Sequence, residues 1–426
     1  MTVVVNGPAA GIQSPVSGAG KRASFVVRPC PGPVSATAGP LTDTYLLVCS
    51  SPAKYSAVRI GYIHAGGSGA VAGLIGVCAA TDDAGTQDFT TLTDANFKKA
   101  VTPKRGGVTT NALGSNGADG WRTITWATAS SVGIADPGAG KQSVTWSDLI
   151  QCEGIVDAAG VYPLLVRMYP GSAAASRIGI LTGMQVGANY VTDVQKSYAM
   201  SILRAGDNVT TLANWSDANT PATGSPLALL VRFYAAADVT DLMVVGDSRF
   251  GVSTELSGSK AYFSFEAYLN NAFAAVGRAA TLFRGGISGG TSAVYQLAAM
   301  NLLNSGYSPD ALLYTVWTVN DGSPTTALTA VAKFRAAEIV DKAKQAGAKV
   351  ILIPYFPKGG GFTGAELTAL ADVKAFCTST GATVFDAAAT YGTATGDWNP
   401  GVSFDGTNHM TQASYQDMAA RIAALV

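Results

Sequence analysis

The sequence predicts two folded parts of different class, a β-rich first half and an α/β second half. A chain of 426 residues is longer than one ordinary domain with a single hydrophobic core, and its length suits two domains. Short β-prone runs separated by Gly, Pro, Asn, Asp and Ser fill residues 21–234. After Thr240, apolar strands alternate with amphipathic helices, which is typical of a parallel sheet covered by helices. We therefore expect one domain at residues 1–236 and a second at residues 237–426.

The composition is that of a folded protein of low charge. Hydrophobic residues make up 48% of the chain and charged residues 13%, which excludes an intrinsically disordered protein. Twenty-eight basic residues balance 28 acidic ones, so no net charge would attract nucleic acid or an anionic membrane. We expect a neutral partner and no nucleic acid.

Neither a membrane span nor a secretory signal is predicted. The most apolar stretch, Ala70–Ala80, contains two glycines and is shorter than the roughly 20 residues that a spanning helix needs. Residues 1–20 lack the basic start and the apolar region of a signal peptide, which leaves the export route open.

The cysteines are interpreted as buried thiols. They are widely spaced, form no CxxC pair and have no neighbouring histidines, so no zinc site is expected. The alternative is a disulfide among the first four of them. The five are Cys30, Cys49, Cys78, Cys152 and Cys377.

The first half predicts an antiparallel sandwich or jelly roll, because it has many short strands, turn signals and no long helical pattern. The predicted strands are Ser24–Arg28, Thr44–Cys49, Ser56–Ile63, Trp121–Trp126, Ser143–Trp146, Tyr162–Met168 and Leu227–Tyr234.

The second half predicts five strands and the helices between them. The strands are Leu242–Val245, Ala280–Phe283, Leu312–Val316, Lys349–Ile353 and Thr383–Phe385. Apolar residues at spacings of three and four from Tyr262 to Val276 predict a helix, with Gly277 at its C-cap. Thr411 is the predicted N-cap of the last helix, whose apolar face runs from Tyr415 to Leu425.

A candidate nucleophile follows the first strand of the second half. Residues Val244–Gly251 read VVGDSRFG, and Ser248 stands at the carboxyl end of that strand. Ligands bind at this edge of open α/β sheets, so the Ser248 hydroxyl would point into the crevice. The alternative is that Gly246–Ser248 is only a polar turn.

A candidate base follows the last strand. Acyl transfer by serine needs a base that titrates near neutral pH, and the chain has only His64 and His409. His409 lies before the last helix, in a loop that can return over the serine, and Asp405 could hold its other ring nitrogen. His64 has no acid or nucleophile near it in the sequence and is interpreted as a structural or surface residue.

Two segments could supply donors for an oxyanion. Arg284–Thr291 is glycine-rich and follows the second strand, and Trp317–Gly322 follows the third and carries Asn320. Backbone N–H groups in the first segment and the Asn320 amide could bind a developing negative charge. A flexible loop and a plain turn are the alternatives.

These four segments together resemble the SGNH hydrolases, also called GDSL esterases and lipases. The resemblance covers about Asp241–Val426, with the four sequence blocks in family order. It implies a flavodoxin-like three-layer αβα domain in which Ser248 is the nucleophile, His409 the base and Asp405 its orienting acid. It also implies an oxyanion hole formed by Ser248, Gly289 and Asn320, and no metal or cofactor.

The sequence departs from the family pattern in two places. Thr318 occupies a position that is usually glycine, which predicts an altered backbone beside Asn320. Three residues separate Asp405 from His409 where the family has two, so Asp397 is kept as an alternative acid. Arg249 either meets an anionic substrate group or is a solvated or salt-bridged arginine.

The resemblance implies two-step acyl transfer to water through an acyl-enzyme. A β-sandwich before such a domain looks like carbohydrate esterases and phage tail esterases, which is an analogy of architecture. We therefore expect carbohydrate O-deacetylation by an extracellular or virion-associated protein, with an acetylated glycan as partner and the β-rich half binding glycan or attaching the enzyme. The alternatives are a lipase or thioesterase and a non-catalytic binding or tail protein. No heptad or interface pattern stands out, so a homo-oligomer and a virion assembly both stay open.

Overall fold

The fold is taken from a computed structural model. It describes residues 24–27, 34–40, 43–67, 69–82, 103–110, 113, 120–139, 141–158, 160–171, 174–178, 199–205, 209, 220–221, 229–235, 239–251, 265–286, 289–304 and 306–426.

Strands of the first half pair antiparallel wherever the structure describes them, as predicted. One sheet is formed by β1 (Ser24–Val27), β4 (Tyr55–Ala65), β10 (Gln142–Trp146), β11 (Ile150–Gln151) and β16 (Leu229–Ala235). Its strand order is β1, β16, β4, β10, with β11 also on β4.

The second sheet of this half has seven strands. They are β3 (Asp43–Ser51), β5 (Val71–Ala80), β8 (Arg122–Thr123), β9 (Ser131–Ile134), β12 (Tyr162–Tyr169), β14 (Ala199–Ala205) and β15 (Thr220–Pro221). Their order is β15, β14, β3, β12, β5, β8, with β9 also on β5. Two separate strand pairs are formed by β2 (Val34–Pro40) with β13 (Ala174–Ile178), and β6 (Lys104–Arg105) with β7 (Val108–Thr109).

The predicted strands of the first half are present with changed lengths. The prediction at Trp121–Trp126 was too long, because only Arg122–Thr123 pair in a strand and Trp126 begins a tight turn to Ala129. The stretch Val71–Ala80 forms a strand that the sequence did not predict. Its Gly76 lies close to the neighbouring strand, since a Cβ there would be 3.0 Å from the backbone carbonyl oxygen of Arg167. That the two sheets form a sandwich stays a prediction, and so does the division into two domains.

The second half is an α/β fold, which confirms the prediction at that level. Its strands are β17 (Val239–Gly246), β18 (Ala279–Gly286), β19 (Ala311–Thr315), β20 (Lys349–Ile353) and β21 (Thr383–Val384). They form a fully parallel sheet in the order β18, β17, β19, β20, β21. Counted within this half the order is 2-1-3-4-5, that of doubly wound flavodoxin-like sheets, whose crevice opens between strands 1 and 3.

Helices cover both faces of this sheet. They are α1 (Ser248–Gly251), α2 (Phe265–Ala275), α3 (Ser292–Asn304), α4 (Thr326–Gln345), α5 (Gly364–Ser379), α6 (Ala387–Tyr391) and α7 (Gln412–Leu425). Leu242 and Val244 of β17 join one apolar cluster with helices α2 and α7, whereas Met243 and Val245 join the other with α3, α4 and α5. Alternation along a strand sends successive side chains to opposite faces, so the half has three layers.

The predicted helix ends are confirmed. Gly277 has a φ of +72° just after α2, and the Thr411 side chain accepts the Ser414 N–H at the start of α7. Val276, predicted on the apolar face of α2, is instead exposed, because the helix ends at Ala275. Tyr262 lies outside the described residues.

Cysteines in the described part of the chain are buried free thiols: Cys49, Cys78, Cys152 and Cys377. Cys30 lies outside it. Among the described helices, none combines the length and the apolar character needed to cross a membrane.

Candidate active site

Ser248 lies two residues after strand β17, at the carboxyl edge of the sheet. The chain turns there from the strand into the single helical turn α1. The turn is tight: a Cβ on Gly246 would lie 2.8 Å from Cε2 of Phe250 and 3.0 Å from Oγ1 of Thr315. Glycine is therefore required before Asp247, and the turn leaves the Ser248 side chain partly exposed.

His409 reaches Ser248 from the loop before α7. Its Nε2 lies 3.1 Å from the Ser248 Oγ, although the two residues are 161 positions apart. Its Nδ1 lies 2.7 Å from Oδ2 of Asp405. The structure thus brings the predicted nucleophile, base and acid into one hydrogen-bonded chain.

The additional residue between Asp405 and His409 is accommodated by a tight turn around the carboxylate. Oδ1 of Asp405 accepts the backbone N–H groups of Thr407 (2.8 Å), Asn408 (2.9 Å) and His409 (3.1 Å). Gly406 has a φ of +64°, which a residue with a side chain rarely adopts. The carboxylate therefore organises the loop through one oxygen and holds the imidazole through the other.

Asp405 is held in its ionised form. Burial raises the pKa of its carboxyl, but the hydrogen bonds from the Thr407 N–H and the His409 ring outweigh this and hold the pKa well below the usual range. An ionised Asp405 accepts a hydrogen bond from the His409 Nδ1–H, which leaves Nε2 free to accept the Ser248 hydroxyl proton.

Asp397, the alternative acid, faces elsewhere. Its Oδ1 accepts the backbone N–H of Trp398 at 2.7 Å. His64 is likewise remote from the serine: it is buried in β4, where its Nε2 lies 2.8 Å from the carbonyl oxygen of Gly69. Burial lowers the pKa of its imidazole, consistent with a structural role.

The two predicted oxyanion segments meet each other beside β17. Asn320 lies in the 3₁₀ turn Val319–Asp321, and its Nδ2 donates to the carbonyl oxygen of Gly290 at 3.1 Å. The amide carries a second hydrogen that this bond does not use. Gly289 has a φ of +67° and is exposed. Within the described residues, neither Gly289 nor Asn320 hydrogen-bonds to Ser248, so their place in an oxyanion hole stays a prediction.

Asp321 fixes the position of the Asn320 turn, a contact that the sequence reasoning missed. Its Oδ1 accepts the Ser292 N–H at 3.0 Å and the Ser292 hydroxyl at 2.9 Å, at the start of α3. It also forms a capping box with Thr318. The sequence signal was available, because Thr-x-x-Asp is a capping pattern.

Thr318 fits the position where the related pattern has glycine. Its φ is −128°, an extended backbone open to any residue, so the expected backbone change beside Asn320 is not required. Its hydroxyl accepts the Asn320 N–H at 3.3 Å and donates to the carboxylate of Asp247. Arg249 also contacts Asp247, with which it forms a salt bridge. This is one of the alternatives predicted for Arg249.

No family model and no curated protein matches the chain. Solved structures do. Among them are a lipolytic protein of the G-D-S-L family from Desulfitobacterium hafniense (14% identity, 44% of this chain and 99% of that chain, TM-score 0.33) and an acetylxylan esterase from Geobacillus stearothermophilus (17%, 44% and 92%, 0.34). A Bacillus subtilis protein matches over 87% of this chain and 77% of its own, at 12% identity and a TM-score of 0.36.

One of these neighbours is described as a lipolytic protein of the G-D-S-L family and another as an acetylxylan esterase. The three TM-scores are below 0.5, so the fold of this chain rests on its strand order, and its chemistry rests on the hydrogen bonds around Ser248.

Proposed function

We propose that the chain is a serine esterase that hydrolyses carboxylic esters through an acyl-enzyme. The observation that carries this proposal is the continuous chain from Asp405 through His409 to Ser248, with heavy-atom distances of 2.7 Å and 3.1 Å. Both distances are within hydrogen-bond reach, as general-base activation of a serine requires.

In the proposed first step, the Ser248 Oγ attacks the ester carbonyl carbon while its proton moves to His409 Nε2. The ionised Asp405 stabilises the imidazolium that forms and keeps it oriented. The free hydrogen of the Asn320 amide, and backbone N–H groups at Ser248 and Gly289, are the proposed donors to the oxyanion. His409 then protonates the departing alcohol, which breaks the ester C–O bond and leaves the acyl-enzyme.

In the second step, water attacks the acyl-enzyme and gives its proton to His409 Nε2. Collapse of the tetrahedral species breaks the bond to Ser248, and His409 returns the proton to the serine oxygen. Each of these steps is assigned to a side chain, a backbone N–H or water.

The proposed substrate is an O-acetyl ester on a carbohydrate. This proposal is supported by an analogy of architecture, the joining of a β-rich half to a hydrolase half, and it assigns to the β-rich half the binding of the glycan or the attachment of the enzyme to a larger assembly. It predicts that an acetyl ester is a better substrate than esters of longer acids. Activity that rises with acyl length would favour a lipase or thioesterase instead.

The test is hydrolysis of 4-nitrophenyl acetate, butyrate and octanoate by the wild type, Ser248→Ala and Ser379→Ala. Ser379 is exposed at the end of α5, so its variant controls for loss of a serine hydroxyl. We expect the wild type and Ser379→Ala to be equally active and Ser248→Ala to lose at least about 10³-fold in kcat. Labelling by a fluorophosphonate, located by mass spectrometry, should occur at Ser248. An inactive wild type, or undiminished activity in Ser248→Ala, would contradict the proposal.

A further inference from the structure

We propose that Arg249 is a positioning residue that clamps the His409 loop onto the turn carrying Ser248, and so sets the distance between nucleophile and base. The inference rests on the proposed function, because it assigns a role to Arg249 within the same reaction.

The guanidinium group of Arg249 joins the backbone segments of the two reacting residues. Arg249 follows Ser248 directly, and its Nε donates to the carbonyl oxygen of Asn408 at 3.0 Å. Asn408 directly precedes His409. One side chain therefore spans from the residue after the nucleophile to the residue before the base, and this bond adds to the 3.1 Å contact between the reacting side chains themselves.

The guanidinium is itself held firmly in place. Its Nη1 forms an ion pair with Asp247, and the two side chains are 1% and 0% exposed. The Arg249 backbone N–H donates to the other Asp247 oxygen at 3.0 Å, and the Phe356 ring centroid lies 5.1 Å from the guanidinium carbon. A planar group fixed by a carboxylate and an aromatic ring has one orientation, so the Nε–H is directed at Asn408 without further ordering.

The same carboxylate connects the clamp to the Asn320 turn. Asp247 accepts a hydrogen bond from the Thr318 hydroxyl, which in turn accepts the Asn320 N–H at 3.3 Å. Asp247 therefore contacts the Asn320 turn through Thr318 and the His409 loop through Arg249. Because Arg249 is buried, it has no surface to offer an anionic substrate group, and the geometry assigns its charge to holding the loops.

Lysine should not replace arginine in this role. A lysine ammonium can keep the ion pair with Asp247, but it has no second donor in a fixed plane for the Asn408 carbonyl. Arg249→Lys therefore removes the clamp and keeps the buried charge compensated. Arg249→Met removes both and leaves Asp247 unpaired.

The test compares kcat and KM of Arg249→Lys and Arg249→Met with the wild type on 4-nitrophenyl acetate. Arg421→Met is the matched control, since Arg421 pairs with Asp417 on the exposed side of α7. We expect Arg249→Lys to keep the wild-type circular dichroism spectrum, to lose about 10²-fold in kcat and to change KM by less than about threefold, because a displacement of about 1 Å has this effect on a reacting pair. Arg421→Met should match the wild type.

A double-mutant cycle separates positioning from a general loss of folded protein. In the His409→Ala background the loop position no longer affects the rate, so Arg249→Lys should cause no further loss there. Wild-type kcat in Arg249→Lys, or the same fold loss in both backgrounds, would overturn the clamp. Failure of the proposed function would be seen separately, as an inactive wild type or an active Ser248→Ala. If Arg249→Met does not fold, Arg249→Lys and the cycle still decide.

Discussion

At the scale of single residues, Asp405 determines both the shape and the protonation of the candidate base. One of its oxygens accepts the Ser403 hydroxyl at 3.0 Å in addition to three backbone N–H groups, and the other accepts the His409 ring. An amide in its place could keep much of the loop, but it would present an NH₂ group that favours the wrong imidazole tautomer.

We therefore expect Asp405→Asn to lower kcat about 10³- to 10⁴-fold while the protein stays folded. Asp397→Asn is the matched control, since among the described residues its carboxylate accepts the neighbouring Trp398 N–H and does not contact His409, and it should retain wild-type kcat. The kcat of each variant is to be measured from initial rates of 4-nitrophenyl acetate hydrolysis. Equal losses in the two variants would refute the assignment of Asp405 as the acid.

The lowered pKa of Asp405 determines how the contribution of this carboxyl group to the stability of the fold depends on pH. The carboxyl pKa is lower in the folded chain than in the unfolded chain, so this group stabilises the fold above the unfolded pKa of about 4. That stabilisation is lost as the pH falls from about 4 towards the folded pKa. At neutral pH Asp405 is therefore ionised and able to accept the hydrogen bond from the His409 ring.

Ser248 and Asp405 could be predicted from their motifs and their places after strands, and His409 because imidazole is rare in this chain. There are two histidines, and only one of them follows a strand of the α/β half. The network of Asp247, Arg249 and Thr318 could not be predicted, because Asp247 and Thr318 are 71 positions apart and nothing in the sequence marks either as buried. Burial follows from packing, and it is packing that decided between the two interpretations of Arg249.

At the scale of elements, the loop after β20 supports the His409 loop. The Gly359 N–H donates to the carbonyl oxygen of Thr407 at 2.7 Å, and the same oxygen accepts the Trp398 indole N–H at 2.8 Å. The two loops touch at Gly359, where an added Cβ would lie 2.9 Å from the Thr407 Cα and 3.0 Å from the Gly406 carbonyl carbon.

Gly359→Ala should therefore push the Asp405–His409 turn away from Ser248. We expect kcat to fall about 10²-fold, since the added methyl group contacts backbone that cannot rotate away. Gly364→Ala is the control, because Gly364 begins α5 and a Cβ there meets nothing within 4 Å. Steady-state kinetics of the two variants provide the measurement, and wild-type kcat in Gly359→Ala would show that the loops do not depend on each other.

The elements of the second half were predictable and several of the first half were not. Buried parallel strands are continuous apolar runs bounded by turn residues, and all five were located within a few residues of their ends. The strand Val71–Ala80 contains Gly73 and Gly76, and its buried and exposed residues do not alternate regularly, so the period-two pattern of a strand is absent from this stretch.

At the scale of the whole molecule, one apolar cluster continues from the β-rich half into the α/β half. It contains Tyr62 and Val166 of the two antiparallel sheets together with Met243 and Tyr295 of the parallel sheet and its helix α3. Strand β1 also contacts β17 and β18. The short connection at residues 236–238 is consistent with halves that depend on each other for stability.

We expect the two halves to unfold in one transition. In a urea titration, far-ultraviolet circular dichroism reports the secondary structure of both halves, whereas esterase activity reports the α/β half alone. The unfolding midpoints from the two measurements should be the same. A midpoint for activity well below that of the spectrum would mean that the α/β half unfolds independently, in which case the shared cluster contributes little.

The separation of the reacting residues along the chain also sets the order in which the site can assemble. Asp405 and His409 are four positions apart, so closing their turn costs little chain entropy and needs no other part of the protein. Ser248 is 161 positions from His409, and their contact requires the sheet between them to have formed. The Asp405–His409 hydrogen bond is thus a local contact, whereas the contact between His409 and Ser248 is among the last to form. The rate at which activity returns during refolding would therefore report when the native topology is complete.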